Sequence, residues 1–163
     1  MKSVRMQVLG VFGGSVASPE EEALAERVGG TAAALDWVVL TGGGPGVMAA
    51  ASRGAVEAGG LTVAILPGAY PRGGYPNKWV HISVFTGADS ARNNFNVLTA
   101  SLCVAIGGGA GTLSEIALAL KNQVPVWSLD SWSLTDPKGN PPEGLRTFED
   151  ANELIAALED VLG

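Results

Sequence analysis

The chain has 163 residues, of which 10 are Lys or Arg and 16 are Asp or Glu, so its formal charge is −6. This length predicts a single domain spanning residues 1–163, and a hydrophobic content of 47% with only 16% charged residues excludes the disordered class. The acidic balance disfavours nucleic acid and anionic membrane as partners, because both are bound through clustered Lys and Arg.

The content of metal-binding and thiol residues narrows the function further. One cysteine, Cys103, and one histidine, His81, exclude a disulfide framework and a metal centre built on Cys or His, so no metal site is predicted. No stretch approaches the ~18 apolar residues that a membrane span needs. We therefore expect a cytoplasmic protein without a membrane partner.

Short apolar stretches alternate with helical patterns along the chain. The predicted strands cover residues 5–12, 37–40, 61–66, 80–85, 102–106 and 124–129. The predicted helices cover residues 19–34, 45–58, 89–100, 112–121 and 149–162. Ser18 and Glu21 fit a capping box for the first helix, and Asp89 is expected to cap the third. The alternation predicts an α/β fold: a three-layer, Rossmann-like domain with a mostly parallel sheet of six or seven strands and helices on both faces.

Glycine-rich loops follow two of the predicted strands, at residues 41–46 and 107–111, and each leads into a helix. Such turns expose backbone N–H groups beside a helix dipole, which favours phosphate. If the strand order is the common 3-2-1-4-5, these loops and those at 13–15 and 87–93 line one crevice, with the switch point between strands 1 and 4. The candidate binding residues are Gly14, Ser15, Thr41, Gly42, Gly43, Gly44, Gly46, Val47, Met48, Asn93, Gly107, Gly108, Gly109, Gly111 and Thr112.

The loops do not match the common nucleotide signatures. Gly44, Gly46 and Ala49 fit the dinucleotide fingerprint loosely, but Leu66 and Pro67 stand where that fingerprint has an acidic residue. No Lys-Ser/Thr pair follows the glycines, so a Walker-type triphosphatase is also disfavoured. The alternative interpretation is structural: the glycines shape tight turns and allow close helix packing, and the protein is a scaffold.

Two charged residues are the candidate catalytic groups. Arg92 is expected in the first turn of a helix, where a cation is disfavoured unless an anion lies nearby. An ion pair with Asp89 or a contact between subunits would also account for it. Glu115 follows Thr112 by three residues and so fits a capping box, but a carboxylate in a water-poor crevice can also stabilise a cationic transition state or activate water.

The ordered set of motifs resembles the Lonely Guy superfamily, whose members are often labelled "possible lysine decarboxylase". The resemblance rests on Thr-Gly-Gly-Gly-Pro-Gly-Val-Met at 41–48, the segments 57–67 and 86–93, and Ile-Gly-Gly-Gly-Ala-Gly-Thr-Leu-Ser-Glu at 106–115. Within this superfamily, the sequence most resembles the branch of small bacterial proteins related to the molybdenum cofactor carrier protein. The resemblance implies binding of a nucleoside 5′-monophosphate and hydrolysis of its N-glycosidic bond by Arg92 and Glu115, without a cofactor. Decarboxylation is not expected, since no lysine suits pyridoxal phosphate.

The carrier branch supplies the alternative function. Where the Lonely Guy enzymes have Glu-Arg-Lys, this chain has Ala91, Arg92 and Asn93, and the family's Pro before the glycines is replaced. The resemblance therefore also allows a non-catalytic carrier or sensor that holds the molybdenum cofactor or an AMP-like nucleotide. It implies a homodimer or homotetramer, for which the apolar side chains expected on the helix surfaces are Phe95, Val97, Leu98, Leu118 and Leu120.

Overall fold

The computed structural model describes residues 6–163, in which seven strands alternate with five α-helices. The strands are β1 (Val8–Gly13), β2 (Val38–Thr41), β3 (Thr62–Leu66), β4 (Ile82–Phe85), β5 (Leu102–Ile106), β6 (Val126–Leu129) and β7 (Leu145–Phe148). The helices are α1 (Pro19–Ala34), α2 (Val47–Glu57), α3 (Arg92–Thr99), α4 (Ala110–Lys121) and α5 (Ala151–Leu162). Residue 5, the first of the predicted strand 5–12, lies outside the described residues.

All seven strands form one parallel sheet in the order β4-β3-β2-β1-β5-β6-β7. The predicted α/β class with a Rossmann-like, three-layer architecture is confirmed. Strand β7 was not predicted as an element of its own, since Leu145–Phe148 is only four residues long and follows a polar loop.

The predicted order of the strands was wrong at one point. Strand β4 does not lie beside β1 but pairs with β3 at the edge of the sheet, where Leu66 lies opposite Phe85. The place beside β1 belongs to β5. The chain returns from the edge through a short 3-10 helix, Asp89–Ala91, and α3, so that segment still reaches the middle of the molecule. The switch point therefore lies between β1 and β5.

Two apolar cores lie on opposite faces of the sheet. Helices α1, α2 and α5 cover one face, and α3 and α4 cover the other. Gly29 and Gly54 let α1 and α2 approach closely, since a Cβ at either position would lie 2.0 Å from a carbonyl oxygen of the other helix. Among residues 6–163, no helix has both the length and the apolar character needed to cross a membrane.

The observed starts of the helices confirm one predicted cap and show that two others were wrong. The Ser18 hydroxyl accepts a hydrogen bond from the Glu21 N–H at 3.1 Å, and the Glu21 carboxylate accepts one from the Ser18 N–H at 2.7 Å, so this capping box is confirmed. Asp89 is not a helix cap, because it lies inside the 3-10 turn that precedes α3. Thr112 is not one either, because α4 begins two residues earlier, after Gly109, and has no side-chain cap.

Candidate functional site

A cavity of about 390 Å³, here called the crevice, opens at the carboxyl edge of the sheet. Its wall combines the ends of β1 and β2 with the first turns of α2, α3 and α4. The lining residues are Phe12, Gly13, Gly14, Ser15, Val16, Gly42, Met48, Tyr75, Arg92, Asn93, Gly109, Gly111, Thr112 and Glu115. The switch point of a parallel sheet is where α/β proteins generally bind ligands.

The second glycine loop, residues 107–111, is held through its carbonyl oxygens. The Ser131 hydroxyl donates to Gly107 O at 2.7 Å, and the Trp132 indole N–H donates to Gly109 O at 3.0 Å. The first main-chain hydrogen bond of α4 runs from the Leu113 N–H to Gly109 O at 3.0 Å. The N–H groups of residues 110–112 therefore have no acceptor among the described residues, as expected for an uncapped helix start.

The glycines of this loop fall into two kinds. Gly107 and Gly108 have φ values of +54° and +88°, so backbone conformation alone explains why glycine occupies these two positions. Gly109 and Gly111 are not in the left-handed region, and a Cβ at either position would meet no protein atom within 4 Å. The fold does not require glycine at these two positions in the wall of the crevice. Their bare backbone leaves room for a ligand to approach the start of α4.

Two main-chain donors of the first glycine loop, residues 41–46, are engaged by neighbouring side chains. The Gly43 N–H donates to the Thr41 hydroxyl at 3.1 Å, and the Gly44 N–H donates to the Met48 sulfur at 3.4 Å. The Val47 N–H, at the start of α2, donates to Gly14 O at 3.1 Å. These bonds fix the shape of the loop beside the crevice.

Arg92 enters the crevice over the first loop. A Cβ at Gly42 would lie 2.2 Å from its Nη1, so Gly42 makes room for the guanidinium. Nη1 donates to Ile65 O at 2.9 Å, whereas Nε is buried with no partner among the described residues. Burial lowers the pKa of Arg92, and the negative charge of Glu115 opposes that shift. Asp89 contacts Arg72 instead, so the predicted Asp89 ion pair is not formed.

Glu115 lies in the wall of the crevice with 7% of its surface exposed. The Asn96 amide of α3 donates to its Oε1 at 3.1 Å. Burial raises the pKa of Glu115 to about 7, although the hydrogen bond from Asn96 and the charge of Arg92 act to lower it. The carboxyl group therefore changes charge near neutral pH, which suits general acid or base chemistry. Its interaction with Asn96 replaces the predicted capping box with Thr112.

The crevice brings together many of the predicted site residues. Both charged candidates line it, together with the predicted binding residues Gly14, Ser15, Gly42, Met48, Asn93, Gly109, Gly111 and Thr112. The predicted residues that do not line it are Thr41, Gly43, Gly44, Gly46, Val47, Gly107 and Gly108. Gly13, in the predicted loop 13–15, also lines the crevice, whereas Phe12 and Val16 line it and were not predicted. Adjacency to the loop 13–15 could have found both. Tyr75 also lines the crevice and was not among the predicted binding residues; the glycine- and tyrosine-rich composition of the segment 67–77 allows a lid but does not place Tyr75 in the wall.

Comparison with known proteins identifies a family and several similar chains. A model of the SLOG cluster4 family matches residues 5–157. A molybdenum cofactor binding protein from Rippkaea orientalis is 38% identical, with 99% of this chain and 100% of that one covered and a TM-score of 0.85. The molybdenum cofactor carrier protein of Chlamydomonas reinhardtii is 35% identical, covers 97% and 99%, and has a TM-score of 0.80. An uncharacterised protein of Archaeoglobus fulgidus is 36% identical over 155 residues, 93% of this chain and 94% of that one.

Proposed function

The chain belongs to the SLOG cluster4 family, and we propose that it binds a phosphate-bearing pterin of the molybdenum cofactor type in the crevice and carries it without chemical turnover. The observation that carries this proposal is the pair of open glycines, Gly109 and Gly111, in front of unpaired N–H groups at the start of α4. The relatives named as cofactor binding and carrier proteins cover nearly the whole chain, which supports the carrier alternative over hydrolysis. The resemblance to the Lonely Guy superfamily and its carrier branch is thereby confirmed.

In this proposal the phosphate binds at the second glycine loop. The N–H groups of residues 110–112 and the dipole of α4 provide positive potential, and the Thr112 hydroxyl adds a further donor. Among residues 6–163, Arg92 is the only Lys or Arg side chain in the wall, and it pairs with the ligand's remaining negative charge. Gly14, Ser15 and Asn93 contact the middle of the ligand. The predicted residues outside the wall belong to the glycine loops or adjoin them, and four of them, Gly43, Gly46, Gly107 and Gly108, adopt positive φ values that shape these turns.

Retention without turnover follows from the side chains beside the candidate carboxylate. Asn93 stands where the Lonely Guy enzymes have Lys, and its amide donates to the Ser114 hydroxyl at 2.9 Å. In the part of the chain that the structure describes, no second carboxylate lines the crevice to serve as a partner for Glu115. Most glycosidases use two such groups. With one acid and one cation, the site is better suited to holding a ligand than to cleaving it.

The test is to identify what the protein carries. The full chain is purified from a host that makes the molybdenum cofactor and from a matched host that cannot, and both samples are examined by native mass spectrometry and for molybdenum content. We expect a ligand-bound species with molybdenum only from the first host. A protein that emerges empty from both hosts and takes up no pterin phosphate in calorimetry would overturn the proposal.

Hydrolysis of a nucleoside 5′-monophosphate remains a second candidate, favoured by one observation: Glu115 is a buried carboxyl group with a pKa of about 7 in the wall of the crevice. In that reaction water adds to the sugar C1′, the bond to the base nitrogen breaks, and the base leaves with a proton. The products from AMP are adenine and ribose 5-phosphate. Release of adenine by the wild type and not by Glu115→Gln would establish this activity, and equal background rates would reject it.

We also propose that the protein self-associates in the cytoplasm as a homodimer or homotetramer. Val97 is fully buried, and Leu118 and Leu120 pack against the core. These three side chains are therefore used in packing within the fold and not in a contact between subunits. Phe95 and Leu98 on α3 remain exposed by 48% and 51%, which supports a contact through this helix. Analytical ultracentrifugation of the wild type and of Phe95→Ser tests it, and a monomeric wild type contradicts it.

A further inference from the structure

Tyr75 reaches the wall of the crevice from a connection that contributes no helix. It belongs to the segment between β3 and β4, where Arg72 and Tyr75 exchange two main-chain hydrogen bonds of 3.0 Å. Gly73 and Gly74, between them, have φ values of +60° and +82°, the pattern of a tight hairpin turn. The ring is therefore presented by a short and defined turn.

A second attachment fixes this turn against the first glycine loop. The Asn77 N–H donates to Gly43 O at 2.7 Å, and the Asn77 side-chain amide donates to Gly44 O at 2.9 Å. The Asn77 side-chain oxygen in turn accepts the Trp79 N–H at 3.0 Å. Tyr75, two residues before Asn77, is thereby positioned over the loop by main-chain bonds on both sides.

Gly44 shows that the loop is shaped around the tyrosine ring. Its φ is not in the left-handed region, so backbone conformation does not require glycine there. A Cβ at this position would lie 2.4 Å from Cζ of Tyr75 and 2.6 Å from Cε of Met48. Both side chains line the crevice. Glycine at position 44 is therefore explained by the close approach of a ring and a thioether.

We propose that Tyr75, beside Met48, is the surface on which the planar heterocyclic ring of the ligand stacks, and that it selects phosphate esters that bear such a ring. This inference rests on the proposed function and deepens it. The crevice has an apolar corner at Tyr75 and Met48 and a row of unpaired N–H groups at the start of α4. A ligand with a ring at one end and a phosphate at the other matches both parts.

Stacking on an aromatic side chain needs only a flat π-face, so it favours planar ring systems as a class. Arg92 lies beside this corner, since Gly42 admits the guanidinium and Gly44, two residues later, admits the ring. The cation keeps the negatively charged part of the ligand next to the stacked ring. Tyr75 is thus a specificity-determining residue, and Asn77 is a positioning residue that acts through it.

The test compares two probes that share a phosphate and differ in the ring: 6-hydroxymethylpterin phosphate and ribose 5-phosphate, both measured by calorimetry. Tyr75→Leu should weaken binding of the pterin phosphate about tenfold, the usual scale for loss of one stacked ring. It should leave ribose 5-phosphate binding within about twofold, because the phosphate contacts remain. Tyr75→Phe should bind both probes like the wild type. Tyr70→Leu is the matched control, since Tyr70 lies on the same segment and does not line the crevice.

The outcomes separate the two proposals. If the wild type binds the pterin phosphate and Tyr75→Leu binds it equally well, or loses both probes to the same extent, the role of Tyr75 is overturned and the proposed carrier function stands. If the wild type binds neither probe, the carrier function itself fails. A selective loss in Tyr75→Leu, absent in Tyr75→Phe and Tyr70→Leu, establishes the inference, since a merely structural role would not discriminate between the probes.

Discussion

The first glycine loop, residues 41–46, donates the N–H groups of Gly43 and Gly44 to neighbouring side chains, whereas the second, residues 107–111, leads into a helix whose first N–H groups have no acceptor in the described chain. Both loops follow a parallel strand, and both are held through carbonyl oxygens, the first by Asn77 and the second by Ser131 and Trp132. The same composition therefore serves two purposes. The first loop makes room for side chains, and the second leaves room for a ligand.

The helix starts repeat this contrast on a larger scale. Helices α1 and α5 are capped by the side chains of Ser18 and Asp150. Helices α2, α3 and α4 have no side-chain cap, and each contributes residues to the wall of the crevice. Side-chain caps normally stabilise a helix start by about 1 kcal/mol. Their absence at the crevice is consistent with a site that a ligand completes.

The largest expected effects come from replacing a glycine of each loop by valine, which should impair binding in one loop and stability in the other. Gly109→Val places a side chain in open space at the mouth of α4, where it blocks two charge-assisted hydrogen bonds and weakens phosphate-ester binding about 1000-fold. Its melting temperature should stay close to that of the wild type. Gly43→Val should do the reverse and destabilise the fold by about 3 kcal/mol, since Gly43 has φ +80° and its Cβ would lie 2.4 Å from Leu66.

Calorimetry and thermal unfolding of both variants provide the measurement. The contrast between the loops breaks down if Gly109→Val binds the ligand normally, or if its stability falls as far as that of Gly43→Val.

The second prediction concerns Glu115, which lies on the helix that follows the second loop. Because its pKa is raised to about 7 by burial, the folded protein holds a proton that the unfolded chain releases above about pH 4.5. Stability should therefore fall as pH rises from about 4.5 to 7, by up to about 3 kcal/mol, and level off above pH 7. Glu115→Gln should lack this decline. Urea unfolding at a series of pH values checks it, and parallel profiles for the two proteins would contradict it.

The sequence predicts more of the fold than of the site. Apolar runs bounded by glycine locate the central strands, and Ser18 with Glu21 locates the start of α1, because these signals are local. Strand order is set by pairing between distant segments, which is why β4 was placed beside β1 instead of at the edge. The spacing of Thr112 and Glu115 fits a capping box, but α4 begins two residues earlier, at Ala110, so Thr112 lies inside the helix.

The individual glycines show the same limit within the site. A glycine demanded by φ, such as Gly43, cannot be distinguished in sequence from one that a side chain demands, such as Gly44, or from one that faces open space, such as Gly109. Tyr75 is held in the wall of the crevice by Asn77, whose side-chain amide donates a hydrogen bond to Gly44 O, 33 residues away in sequence. No periodic pattern or motif marks such a contact in advance.

The third prediction tests whether the first loop acts through Arg92. Gly42→Ala adds a Cβ where Nη1 of Arg92 now lies, so the guanidinium must move and phosphate-ester binding should weaken about tenfold. Arg92→Met should weaken phosphate-ester binding by a similar factor, because it removes the charge that Gly42→Ala displaces. The double variant should lose no more than either single one, since both changes remove one interaction. Additive losses in the binding constants would show that Gly42 contributes to binding independently of Arg92.

The smallest expected effects come from one substitution that should increase stability and weaken binding. Gly111→Ala replaces glycine in the first turn of α4, which should raise the free energy of unfolding by about 0.5 kcal/mol, because alanine loses less backbone entropy than glycine. The added methyl group meets no protein atom, so only a ligand can contact it, and phosphate-ester binding should weaken about fivefold. Gly30→Ala in α1 is the matched control. Its Cβ would lie 3.5 Å from Gly54 O, an ordinary contact far from the crevice wall, so the same gain in stability should come without any change in binding. A Gly111→Ala protein that gains stability and binds as tightly as the wild type would mean that the ligand does not approach the start of α4.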